Sequence, residues 1–190
     1  STAEFELHRR VSSLRGSFYL LGVVSNTSKH SVRKPKVIAV LEDAAGKEVG
    51  TAFGYATRDV LEPGASSPVK ILARNPPEHD RYEFEVEVRA GRYQSEPVDG
   101  LKVEPGQPRK STTRSWKVDG KVIHEGTQPA RSVRVEIQAL DEAGKLLGLY
   151  TTYAGAGTLQ PGSHARFHAT LLLDEAPDRV EYFVTGRPAK

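Results

Sequence analysis

The chain carries one pattern twice at a fixed spacing. Leu41-Glu42-Asp43-Ala44-Ala45-Gly46-Lys47-Glu48-Val49-Gly50 returns as Leu140-Asp141-Glu142-Ala143-Gly144-Lys145-Leu146-Leu147-Gly148. Asp43 and Asp141 stand 98 positions apart, as do Gly46 and Gly144, Lys47 and Lys145, and Gly50 and Gly148. Leu61-Glu62-Pro63-Gly64 recurs at the same offset as Leu159-Gln160-Pro161-Gly162, and Asp80-Arg81 as Asp178-Arg179. Phe18 answers to Trp116 and Gly22 to Gly120. A constant offset without a gap reads as one unit written twice. In 190 residues that gives two domains, each near the low end of ordinary domain size.

Within each copy the apolar residues recur with a period of two, the signature of half-buried strands. In the first copy strands are predicted over Phe5–Val11, Ser17–Asn26, Lys36–Glu42, Glu48–Thr57, Ser67–Ala73 and Tyr82–Ala90. In the second they are predicted over Trp116–Ile123, Val133–Leu140, Leu146–Tyr153, Ala165–Leu172 and Val180–Thr185. Turn residues separate them: Asp43 to Gly46 suits a hairpin, and Pro63-Gly64 a tight turn. No stretch has a helical period. The fold class is therefore all-β, two tandem β-sandwiches.

Residues 1–91 are the expected first domain and 111–190 the second. Between them, 92–110 reads as a semi-rigid linker because it holds Pro97, Pro105 and Pro108. Leu101-Lys102-Val103 within it can open the second copy.

Charge excludes some functions. The net charge is +3 and evenly spread, so neither copy is a basic block and no nucleic-acid partner is expected. Cysteine is absent, which removes disulfides and thiol chemistry. No apolar run is long enough to span a membrane as a helix. The sequence lacks Met at position 1 and is expected to be a piece of a longer or processed chain. A membrane or lipid anchor would then lie outside it.

No catalytic constellation is visible. His8, His30, His79, His124, His164 and His168 show no metalloprotease spacing. His164 and His168 share one side of a strand with Arg166 and read as solvated. Glu83, Glu85 and Glu87 could bind Ca²⁺ or do acid–base work, but Phe183 and Thr185 replace two of them in the second copy. No cofactor, metal or catalytic residue is expected. Lys29, Arg33, Lys34 and Lys36 crowd one loop, and Arg109, Lys110, Arg114, Lys117 and Lys121 another region beside Trp116. Basic residues interleaved with an aromatic can bind single-stranded nucleic acid or acidic glycans, but Trp116 falls on the core position of Phe18, so the clusters read as solubilising surface.

The duplication supplies its own control. In the first long strand the second copy points Trp116, Val118, Gly120 and Val122 inward and Lys117, Asp119 and Lys121 outward. The first copy matches the inside with Phe18, Leu20, Gly22 and Val24. Its outside is Tyr19, Leu21 and Val23. In the next strand Ile38 and Val40 stand outside where the second copy has Glu136 and Gln138. Burying one such side chain is worth roughly 1.5–3 kcal/mol, and soluble monomers avoid leaving several exposed together. Tyr19, Leu21, Val23, Ile38 and Val40 are therefore the candidate contact surface. Its cover is the Phe5–Val11 segment, the second copy, or another protein.

Gly22, Asn26, Leu41, Asp43, Gly46, Val49, Gly50, Leu61, Pro63 and Gly64 together resemble the FxLYD family. Gly120, Leu140, Asp141, Gly144, Leu147, Gly148, Leu159, Pro161 and Gly162 repeat the resemblance. The chain departs from that pattern where Glu42 and Leu140 replace Tyr before Asp, and where His124 stands in place of Asn26. The resemblance implies an immunoglobulin-like module of prokaryotic envelope or secreted proteins, without enzymatic activity of its own. The expected function is a protein-interaction or scaffolding module in an extracytoplasmic setting. The alternative is a carbohydrate-binding accessory module using Tyr55, Tyr93, Tyr150 and Tyr153.

Overall fold

A strand that alternates apolar and polar residues has one face to bury, and two such sheets bury each other. The computed structural model does this twice. It describes residues 2–92 and 95–190, which form two compact units, Ser1–Tyr93 and Gln94–Lys190.

In the first unit, β1 (Ala3–Ser12), β2 (Phe18–Asn26) and β6 (Ser66–Ala73) form one antiparallel sheet with β2 in the middle. The other sheet is built on β3 (Val32–Glu42). β4 (Glu48–Tyr55) and the two-residue β5 (Val60–Leu61) line one of its edges, and β7 (Arg81–Ala90) the other. The second unit repeats the plan. β8 (Leu101–Pro105), β9 (Arg109–Lys110) and β13 (His164–Leu172) flank β10 (Ser115–His124). β12 (Leu146–Tyr153) and β14 (Arg179–Pro188) flank β11 (Ala130–Leu140).

The inward positions read from the alternation are the core. Phe18, Leu20, Val24, Val37, Ala39 and Leu41 are almost fully buried in the first unit, and Val118, Val122, Val135, Ile137 and Ala139 in the second. A Cβ on Gly22 would collide with the Glu6 carbonyl and the Phe5 ring, and one on Gly120 with the Glu104 carbonyl and the Phe167 ring. The two glycines leave room for an aromatic ring at the same place. β1 supplies it in the first unit and β13 in the second.

Most of the segment read as a linker is folded into the second unit. Val98 is buried in its core and donates a backbone hydrogen bond to Gly186. β8 and β9 pair with β10 as β1 pairs with β2. The prolines act here as strand breakers: Pro105 and Pro108 lack the N–H a ladder needs and bracket the gap that splits one long strand in two.

The repeated turns have a common construction. The Asp43 carboxylate accepts hydrogen bonds from the N–H of Ala45 (3.0 Å) and Lys47 (2.9 Å), and Asp141 from Ala143 and Lys145 (both 2.9 Å). Gly46 and Gly144 follow with φ of 81° and 77°, which closes each three-residue hairpin loop.

A buried polar side chain ends the central strand of the first sheet in each unit. Asn26 is 1 % exposed. Its amide nitrogen donates to the carbonyls of His30 (2.8 Å) and Leu61 (2.9 Å), and its oxygen accepts from the Ser28 N–H (3.0 Å) and hydroxyl (2.8 Å). His124, 0 % exposed, does the same work with a ring. Nε2 donates to the Gln128 carbonyl (2.6 Å) and Nδ1 accepts from the Gly126 N–H (3.1 Å). That pattern fixes a neutral imidazole with its proton on Nε2. The backbone carbonyls of the two residues accept from Gly64 (2.9 Å) and Gly162 (2.7 Å) of the Pro-Gly turns. His124, a departure from the expected pattern in sequence, is thus equivalent in role.

Removing Asn26 takes the side-chain donor from the buried Leu61 carbonyl, and removing His124 takes the partners from the part-buried Gly126 N–H and Gln128 carbonyl, so Asn26→Ala and His124→Leu should each cost about 1–3 kcal/mol. His124→Asn should retain most of that stability, because Asn26 already performs the task. Urea unfolding of the three variants checks this; equal losses for His124→Asn and His124→Leu would contradict it.

Candidate functional site

The outer face of the β3 sheet in the first unit is set by strand register. Reading across β4, β3 and β7, three rows stand side by side: Tyr55, Lys36 and Glu87; then Phe53, Ile38 and Glu85; then Thr51, Val40 and Glu83. The inward residues of β4, Ala52 and Gly54, are buried, so Phe53 and Tyr55 must point out. They are 55 % and 56 % exposed and meet edge to face with ring centroids 5.9 Å apart. Lys36 Nζ lies 4.4 Å over the Phe53 ring and 3.9 Å from the Glu87 carboxylate. Ile38 and Val40 are half-buried along the middle, and the three glutamates are exposed.

The same rows in the second unit read Tyr153, Arg134 and Thr185; Thr151, Glu136 and Phe183; Leu149, Gln138 and Glu181. Its middle line is polar, with Gln138 donating to the Glu136 carboxylate at 2.8 Å. The apolar middle line belongs to the first unit.

The five residues expected to form one surface lie on two. After Asn26 the chain crosses from one sheet to the other, so Ile38 and Val40 are on the β3 sheet while Tyr19, Leu21 and Val23 are on the β2 sheet. There the cross-strand neighbours are charged or small: Arg9 and Lys70 beside Leu21, Glu6 and Pro68 beside Val23. Leu21 is buried at 2 %, and Tyr19 and Val23 are half-buried. Lys70 Nζ sits 4.3 Å over the Tyr19 ring, and burial pushes the Lys70 ammonium below the ordinary lysine range.

Other candidates separate. Tyr153 is 60 % exposed. Tyr150 is structural, its hydroxyl donating to the Leu172 carbonyl and accepting from the Leu172 N–H, both at 2.8 Å. Tyr93 lies outside the described residues. His164 and His168 are exposed on β13. Among the described residues no group of three His, Asp or Glu side chains is placed to hold a metal ion, and no helix is long and apolar enough to cross a membrane. An open cleft of about 700 Å³ lies beside Tyr55, lined also by Lys34, Lys36, Asp59, Glu87 and Arg89. In the second unit a shallower cleft of about 650 Å³ runs between Leu101–Pro105 and Val180–Val184.

Phe53 was not singled out from the sequence, although its alternation with Ala52 and Gly54 carried the signal.

No family model matches the chain, and no curated protein matches it. Solved structures similar to it include the exo-chitosanase CsxA of Amycolatopsis orientalis, with 14 % identity, a TM-score of 0.31, and coverage of 95 % of this chain and 25 % of that one. Red sea bream transglutaminase matches with 7 % identity and a TM-score of 0.30, over 97 % of this chain and 29 % of that one. The chain thus spans about a quarter of the length of these enzymes.

Because burial disfavours the charged form of Lys70, the folded chain holds that proton less tightly than the unfolded chain. The unfolded state therefore binds more protons between the lowered folded value and the ordinary one, and stability rises with pH across that range. Urea unfolding from neutral pH into the lysine range should show this rise in the parent relative to Lys70→Met. Parallel curves would remove the assignment.

Proposed function

We propose that this chain is a non-catalytic binding module that holds another protein through the outer face of its first unit. The observation that carries this reading is the apolar middle line of Ile38 and Val40 with Phe53 55 % exposed beside it, where the second unit has Glu136, Gln138 and Thr151. The inner faces of the two units match, so the frame does not require this difference outside. A sheet face with an aromatic anchor and a charged border suits protein recognition, in which a few side chains, aromatics prominent among them, carry most of the binding energy. The resemblance to envelope and secreted modules supports an extracytoplasmic setting for the contact.

The test gives the first unit the second unit's side chains. A photoreactive residue at Thr51, in the native background, captures the partner. Ile38→Glu with Phe53→Thr should leave the melting temperature within a few degrees of the parent, as surface changes do, and weaken partner affinity at least about tenfold. Unchanged affinity would refute the reading. A loss of several kcal/mol of stability would show the face to be part of the frame.

A further inference from the structure

In each unit two arginines face one another across neighbouring strands. Arg33 of β3 is in register with Arg89 of β7, and Arg131 of β11 with Arg187 of β14. Like charges directly opposite on a sheet repel. Among the described residues none of the four makes an ion pair with a carboxylate, and Arg33 Nε is enclosed without a hydrogen-bond partner. An arrangement of like charges recurs at matched positions, without a carboxylate among the described residues in direct contact with either pair.

What surrounds the pairs also recurs. A bulge follows the first arginine, with Lys34 at φ 48° and Ser132 at φ 50°. It steps β3 from Arg33 to Lys36 while β7 steps only from Arg89 to Glu87, and β11 from Arg131 to Arg134 while β14 steps from Arg187 to Thr185. The extra residue keeps Lys36 on the face of Arg33, and Arg134 on that of Arg131. Each of these third cations is in register with an exposed tyrosine, Tyr55 and Tyr153. In the first unit Arg89, Lys34, Lys36 and Tyr55 line one cleft together with Asp59 and Glu87, and Lys36 is paired with Glu87 at 3.9 Å, so the arginines are the cations left for an anion.

We infer that each unit carries a site for a negatively charged sugar residue, a uronic acid or a sulfated sugar. A guanidinium fork gives a carboxylate or sulfate two parallel hydrogen bonds, and an anion shared by two forks turns their repulsion into attraction. The exposed tyrosine ring offers the apolar face of a sugar a stacking surface. The two requirements together, an anion beside a flat ring, describe an acidic glycan better than a free inorganic anion. They also describe it better than nucleic acid, because neither unit has the net positive charge of a nucleic-acid surface. This site lies at one end of the strands and does not rest on the protein contact proposed above, which uses Ile38, Val40 and Phe53.

The test is a titration of the full chain followed by amide NMR, with trigalacturonate and a sulfated trisaccharide as probes. Triglutamate and a thymidine tetranucleotide serve as charge controls. Saturable shifts are expected in two groups of amides, one around Arg33 and Arg89 and one around Arg131 and Arg187. Arg33→Gln with Arg89→Gln should weaken the first group's response at least about tenfold and leave the second unchanged, and the reverse holds for Arg131→Gln with Arg187→Gln. Tyr55→Ala should weaken the first group roughly fivefold. The same spectra report whether each variant is folded, and Arg89→Gln alone replaces the double change if folding suffers. Response to only one of the two sugars supports the site and names its acid group. Three results overturn the proposal: no saturable shift with either sugar, an equal response to triglutamate that Tyr55→Ala does not alter, or tighter binding of the tetranucleotide than of both sugars.

Discussion

A buried polar side chain at the end of the central strand decides the shape of each unit. The chain must leave one sheet there and enter the other. Asn26 satisfies the loop and the strand beyond it at once, bonding to Ser28, His30 and Leu61. His124 does so with two ring nitrogens. In both units the same residue's carbonyl also receives the N–H of the Pro-Gly turn. Loops distant in sequence are thereby tied to one point. Hydrogen bonds of this kind contribute modestly when made and cost more when left unmade, which gives the position its force.

With the frame held in this way, the outer faces are free to differ. The frame needs Phe18, Leu20, Val37, Ala39 and Leu41 inside; it does not need Ile38, Val40 or Phe53 outside, because the second unit keeps the same plan with Glu136, Gln138 and Thr151 there. Features that change between the units and features that persist point to different things. The apolar middle line is confined to the first unit and supports a contact of that unit alone. The opposed arginines and their tyrosine persist in both, although their mutual repulsion works against the frame, and support a site that each unit carries.

Much of the fold was legible in the sequence because it is written in local terms. Alternation gave the inner faces, and Asp43, Gly46 and Pro63-Gly64 gave the turns through their own hydrogen-bonding and backbone preferences. β5 and β9 were not legible: two residues are too few to show a period. The segment holding β8 read as a linker because its prolines signal a break, and only pairing with β10 shows that they interrupt a strand. Tyr19, Leu21 and Val23 were joined to Ile38 and Val40 because alternation tells inside from outside but not which sheet a strand enters. The arginine pairs were hidden for a related reason. Arg33 and Arg89 are far apart in the chain, and their opposition depends on the bulge at Lys34, which shifts the register by one residue. The shared offset of 98 between Arg33 and Arg131, Arg89 and Arg187, and Tyr55 and Tyr153 was visible and is the sequence signal for that site.

The claim on which the rest stands is that the loops after Asn26 and His124 are held as firmly as the strands they join. Amide hydrogen exchange of the full chain measures this directly at Ser28 and Gly64 in the first unit and at Gly126 and Gly162 in the second. These amides lie in turns and would ordinarily exchange fast. The account predicts that they exchange by the same slow opening as the β2 and β10 amides of their own unit. Exchange at the rate of an unprotected loop, while β2 and β10 remain protected, would contradict it.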